Sequence, residues 1–112
     1  MKIVTEYGRE IVNLIKIWTN GCFDILHRGH IELFKYAKSL GNELTVGVDS
    51  DGKVMRDKGP CRPINNLEDR VEILNAIRYI DRVVYFDSCD ELELLIKNYN
   101  PDVIVVGSDW KC

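Results

Sequence analysis

Two histidines, His27 and His30, stand three residues apart in the stretch TNGCFDILHRGH, residues 19–30, with Arg28 and Gly29 between them. A helical pattern begins there, with Ile31, Leu33, Phe34, Ala37 and Leu40 set against Glu32, Lys35, Lys38 and Ser39. Over the first turn of a helix, residues at i and i+3 share a side, and unpaired backbone N–H groups point outward at that end. A helix start of this kind attracts anions. Gly29 has no Cβ to keep a phosphate from the backbone, and two imidazoles can donate hydrogen bonds to its oxygens and to a developing negative charge. The set suits phosphoryl or nucleotidyl transfer. Two other readings use the same residues: one histidine caps the helix while the other is an exposed surface residue, or the pair ligates zinc together with Asp24. The chain holds no third histidine and no CxxC pair to complete a soft metal site, so no protein-held metal is expected. Magnesium arriving with a nucleotide fits the composition better.

The elements that must position these residues alternate. LIKIWT, residues 14–19, is a short apolar, β-forming run that ends at Asn20-Gly21, which reads as a strand and a turn. A helix over 29–40 stops at Gly41-Asn42, and ELTVGVD, residues 43–49, is a second strand. Residues 50–66, crowded with charges, two glycines and two prolines, read as a long loop, which Ser50 and Asp51 help to shape. Asn66 caps a helix over LEDRVEILNAIR, and RVVYF, residues 82–86, is a third strand. Ser88 with Glu91 forms a capping box for the next helix, Asn100-Pro101 breaks it, and DVIVVG, residues 102–107, reads as a buried fourth strand. Strands alternating with helices build βαβ units, so the expected fold is α/β, a doubly wound parallel sheet in three α/β/α layers. Ligands in such folds sit beyond the carboxyl ends of the strands, where TNGCFDILHRGH, the SDGK segment and GSDW all lie. Residues 1–13 read as an N-terminal extension, an extra helix or a loose segment, ahead of a single domain over 14–112.

Bulk composition narrows the function. The chain has 112 residues, 46% hydrophobic and 29% charged, enough for one compact core. Its formal net charge of -3 lacks the basic excess that a nucleic-acid backbone binder needs. No uninterrupted apolar segment long enough for a membrane span is present, and the four scattered cysteines suggest neither a zinc ribbon nor a disulfide framework. A soluble, cytoplasmic protein is the expectation.

GCFDILHRGH resembles the HxGH signature of the cytidylyltransferase-like nucleotidyltransferases, relatives of the class I aminoacyl-tRNA synthetases. From about Ile17 to Lys111 the chain is similar to the adenylyltransferase domain of ADP-heptose synthase, through TNGCFDILHRGH, SDGKVMRDKGPCRPIN and LEDRVEIL. It is also similar to glycerol-3-phosphate cytidylyltransferase, through AIRYIDRVV and VVGSDW. The resemblance implies attack by a sugar or polyol phosphate on the α-phosphorus of a magnesium-bound nucleoside triphosphate, ATP favoured over CTP, with release of pyrophosphate. A non-catalytic nucleotide-binding module is the competing reading of another class.

Residue by residue, the resemblance gives His27 and His30 the stabilisation of the reacting phosphorus centre. Gly21, Cys22 and Phe23 match the turn whose backbone lines the nucleotide phosphates, with Asp24 and Gly29 beside it. Asp24 can equally shape an Asx-type turn, and Phe23 can equally be core. Lys58 and Arg62, with Arg56 beside them, match a basic loop that meets the substrate phosphate and the departing pyrophosphate. Arg70, in the first turn of its helix, places a cation against the dipole, which points either to phosphate or to a salt bridge with Asp69 or Glu72. Asp109 and Trp110 match an element near the ribose and base. The family continues past this point with a segment of the ISTT type that holds the triphosphate, so the sequence ending at Cys112 is expected to be a truncated form, a weakened enzyme or one completed by a partner. The family resemblance also implies a homodimer.

Overall fold

The computed structural model describes residues 2–4 and 10–107; the expectations for Asp109 and Trp110 lie outside the described residues. The elements run β1 (Lys2–Val4), β2 (Glu10–Asn13), β3 (Lys16–Gly21), α1 (Arg28–Ser39), β4 (Glu43–Asp49), α2 (Asp51–Lys58), α3 (Leu67–Asn75), β5 (Arg82–Phe86), α4 (Cys89–Tyr99) and β6 (Val103–Ile104). Four strands form a parallel sheet in the order β5-β4-β3-β6. The chain therefore starts at an inner strand and winds outward to both edges, which makes the sheet doubly wound and puts a switch point beside β3.

β3 and β4 are inner strands, and both sheet faces are covered, which is why their sequences are nearly continuous apolar runs. On one face Ile17, Leu44, Val46 and Val48 pack with Phe34 and Ala37 of α1 and Leu74 of α3. On the other, Trp18 and Phe86 pack with Leu92 of α4. Gly47 admits the Trp18 indole against β4, since a Cβ there would come within 2.6 Å of the ring.

Five expectations of element placement are corrected. β3 extends through Asn20 and Gly21, which continue the register with β4 instead of turning, and the Asn20 carboxamide oxygen accepts the Trp18 indole N–H at 2.8 Å. The long loop over 50–66 contains helix α2. Ser50 caps it, accepting from the Lys53 N–H at 3.1 Å, Val54 is buried, Lys53 and Asp57 pair at i, i+4, and Gly59 with φ 104 ends it. The fourth strand is short and exposed: β6 pairs with β3 through two residues, with Val103 and Ile104 exposed by 36% and 48%. It is a sheet edge, and an apolar run does not tell an edge strand from a buried one. In place of a helix or loose segment at the N-terminus, β1 and β2 pair antiparallel. Helix α3 closes at Asn75, three residues before the expected end. Cys22 and Cys61 are free thiols, whereas Cys89 is disulfide-bonded.

Candidate active site

His27 is the N-cap of α1 and His30 its third helical residue, and each closes the other's end of the turn. The Gly29 N–H donates to His27 Nδ1 at 3.0 Å, and the His27 N–H donates to His30 Nδ1 at 3.1 Å. This is the reciprocal geometry of a capping box, made with imidazoles in place of a hydroxyl and a carboxylate. Capping and phosphate chemistry are therefore not alternatives for this pair. Because both Nδ1 atoms accept, each neutral ring carries its proton on Nε2. The ring centroids are 4.0 Å apart.

The helix start offers a different welcome to an anion than its sequence suggests. The N–H groups of His30 and Ile31 both donate to the His27 carbonyl, so with Gly29 the first turn is largely satisfied from within. The space that Gly29 leaves is filled by the His27 ring, whose Cε1 would lie 2.7 Å from an added Cβ. The Gly29, His30 and Ile31 amides are thus already engaged within the helix start.

Between β3 and α1 the chain turns sharply. Phe23 has φ 50, a left-handed conformation that is costly for a bulky residue and persists only where surroundings fix it. Its ring is buried, 5.1 Å from Phe34 and 5.7 Å from His30, and the absent side chain of Gly21 gives it room. Phe23 is core, and it supports the His30 ring edge-on.

Asp24 is 4% exposed. Its carboxylate accepts from the Ile64 and Asn65 N–H groups, both at 2.7 Å, and from Arg62 Nε at 2.8 Å, while its carbonyl accepts the Asn65 side-chain amide at 2.8 Å. Burial alone pushes the Asp24 carboxyl up, but those backbone donors and the Arg62 guanidinium together hold it below the usual range. Arg62 is held by its Nε and remains partly exposed, so its fork projects from a fixed base.

Arg70 is fully buried and spends its donors inside the protein. Nε donates to Asn65 O at 2.9 Å, Nη1 to Cys22 O at 2.9 Å and Asp49 O at 2.7 Å, and Nη2 to the Asp51 carboxylate at 2.6 Å. Its ion-pair partner is Asp51, in place of Asp69 or Glu72, which the sequence offers as the alternative to a phosphate role. Asp51 thus does more than shape a loop.

Lys58 is exposed at the end of α2, and its charge, with that of Arg70, opposes the rise that burial imposes on the Cys22 thiol. Arg56 lies away from the histidines, bonded to the Asp87 carbonyl and 3.4 Å from its carboxylate at the end of β5.

The structure thus gathers Gly21, Cys22, Phe23, Asp24, His27, Gly29, His30, Arg62 and Arg70 around the ends of β3 and β4, with Lys58 nearby. It adds residues the sequence reading passed over. Asp49 closes β4, and burial raises its carboxyl despite Lys53 at 3.7 Å. Asn65 belongs to the Asp24 and Arg70 networks at once. A polar residue at the carboxyl end of a parallel strand was the available signal for Asp49; nothing local singled out Asn65. Among the described residues no group of three or more His, Cys, Asp or Glu converges to hold a metal, and the Asp24 carboxylate, the third member of the zinc reading, accepts from three protein donors. A cavity of about 320 Å³ lies at the opposite, amino-terminal edge of the sheet, between Lys16, Glu43, Arg82 and Tyr99. No helix among the described residues is long and apolar enough to cross a membrane.

A doubly wound α/β domain with an HxGH helix start at its switch point defines a nucleotidyltransferase-like class. The sequence model of the Cytidylyltransferase-like family matches residues 18–112, and the chain belongs to that family. Among curated relatives it is similar to Bifunctional protein HldE of Campylobacter concisus, 44% identical over 110 residues, and of Marinomonas sp., 49% identical over 110 residues. Each alignment covers 98% of this chain and 22% of the relative, so the chain spans about a fifth of their length. Among solved structures it is similar to the lipopolysaccharide core biosynthesis protein from Thermoplasma volcanium, with a TM-score of 0.78 and 32% identity, covering 89% of this chain and 80% of that one.

Proposed function

We propose that the chain is a nucleotidyltransferase domain that transfers a nucleotidyl group, adenylyl in preference to cytidylyl, from a magnesium-bound triphosphate to a sugar or polyol phosphate. The observation that supports this reading is the reciprocal His27–His30 cap, which holds both rings at the helix start through Nδ1 and so makes Nε2 the proton-bearing nitrogen of each neutral ring. The acceptor's phosphate oxygen forms the new bond to the α-phosphorus, the bond from that phosphorus to the bridging β-oxygen breaks, and pyrophosphate leaves with the electron pair. No covalent enzyme intermediate is needed. Catalysis is then positioning and charge stabilisation. The imidazoles donate to the crowded phosphorus centre, and the Arg62 fork and Lys58 receive the acceptor phosphate and the departing pyrophosphate. A magnesium ion carried by the triphosphate substrate would neutralise part of its phosphate charge. The resemblance of TNGCFDILH and KGPCRPIN to the adenylyltransferase domain of ADP-heptose synthase supports ATP and a heptose-phosphate-like acceptor. Ile25 and Ile64, exposed and apolar beside Asp24, support a homodimer contact close to this site.

Pyrophosphate release tests the reading, with ATP and CTP crossed against heptose 1-phosphate and glycerol 3-phosphate. Release from ATP with the heptose phosphate supports it, and release with CTP and glycerol 3-phosphate moves the specificity. Silence across all four with nucleotide still bound makes the chain a binding module.

A further inference from the structure

A whole positive charge sits under the site with no exposed surface: the side chain of Arg70. Its acceptors come from four separate segments. Cys22 O belongs to the turn after β3, Asp49 O to the end of β4, Asp51 to the first turn of α2, and Asn65 O to the segment ahead of α3. Three are backbone carbonyls at the rim of the crevice. Left unpaired, their negative ends would oppose a triphosphate and carry a desolvation cost as well. Asn65 is gripped a second time by Asp24, so the segment bearing Arg62 is clasped from two sides.

We propose that Arg70 is a positioning residue for the reaction, a buried fork that turns three carbonyls inward and sets the placement of the Arg62 segment, and not a ligand that touches phosphate. The kinetic part rests on the nucleotidyltransferase reading, and the structural part stands without it. The planar guanidinium is what the role requires: its donors diverge towards acceptors on four segments, whereas a lysine ammonium donates from a single point.

Two variants of the full chain test this, Arg70→Lys and Asp51→Asn, each followed by residue-resolved amide exchange and by pyrophosphate release. Arg70→Lys is expected to speed exchange at the Ile64 and Asn65 N–H groups about tenfold relative to Val46 in the core, the scale of one weakened hydrogen bond. Turnover should fall about a hundredfold, as for a displacement near 1 Å, with KM for the triphosphate held within about threefold. Asp51→Asn should move the same amides less and in the same direction. Unchanged exchange at Ile64 and Asn65 in Arg70→Lys, with KM raised about tenfold, would make Arg70 a phosphate ligand and overturn the proposal. If Arg70→Lys does not fold, Asp51→Asn decides: exchange identical to the parent at both amides refutes the clasp. Should the parent release no pyrophosphate from any pair, the functional reading fails, and the exchange result alone still decides whether Arg70 positions the segment.

Discussion

A methyl group added at Gly29 should separate stability from turnover. Its Cβ would lie 2.7 Å from His27 Cε1 and 3.0 Å from Nδ1. Ordinary carbon contacts need about 3.5 Å or more, so the ring must withdraw by about 0.8 Å. The cap bond from the Gly29 N–H, now 3.0 Å, would stretch past useful length. Losing one N-cap bond costs about 1 kcal/mol, while replacing glycine by alanine inside a helix returns up to about 1 kcal/mol. The net change should stay within about 1 kcal/mol, a Tm shift of at most about 4–8 °C. In the proposed reaction turnover depends on where the His27 ring sits, and a displacement near 1 Å should cost about a hundredfold. Urea melts and pyrophosphate release on Gly29→Ala measure both. A double-mutant cycle isolates the clash: with His27→Ala in place nothing opposes the new Cβ, so Gly29→Ala should stabilise by the full helix-propensity gain. Equal effects of Gly29→Ala in both backgrounds would refute the placement of the ring, as would full turnover in the single variant.

His27→Ala and His30→Ala should each lower turnover about 10²–10³-fold while nucleotide affinity falls less, read from kcat and KM. Equal losses in both would mark them as ground-state ligands. Asp24, whose folded pKa lies below its unfolded value, contributes stability that is complete above about pH 4 and is lost as pH falls through the folded pKa. Asp24→Asn should therefore lower stability at pH 7 by about 2 kcal/mol and flatten the acid limb of a pH–stability curve. Asp49 has the opposite sign: its raised pKa makes the folded state hold its proton more tightly, so its charge costs stability once pH exceeds both pKa values. Asp49→Asn should stabilise at pH 7 and leave stability below about pH 3 unchanged, as thermal melts at the two pH values would show. Sizing at high concentration should show a dimer, and a single 12.9 kDa species would exclude it.

Periodicity made much of this architecture legible. The stripe of α1, the apolar runs of β4 and β5 and the Ser88 cap of α4 lie where their sequences put them, because each rests on contacts within a few residues. Helix α2 escaped notice because eight residues with several charges and a glycine look like a loop, and only the burial of Val54 and the Lys53–Asp57 pair show otherwise. The exposure of β6 was hidden because composition does not reveal which strand ends up at an edge. At the site, the HxGH stretch announced itself, but the capping box did not, since it is usually written with serine or threonine and glutamate. The role of Arg70 was least accessible: its partner carbonyls at Cys22 and Asp49 are 48 and 21 residues away in sequence, and no local pattern encodes such contacts.

The two halves of the site are built on different length scales, and that fixes an order of assembly. The histidine cap needs only residues 27–30, so it can form as soon as α1 does. The clasp joins Asp24 to residues 62–65 across separations of 38–41 residues, and closing a loop of that size costs about 3 kcal/mol of chain entropy beyond a fixed constant. The cap is therefore closed by local chain at little entropic cost, whereas the clasp needs residues 62–65 brought back to Asp24 across the intervening chain. Refolding should accordingly show protection of the Ile64 and Asn65 amides no earlier than that of the α1 start.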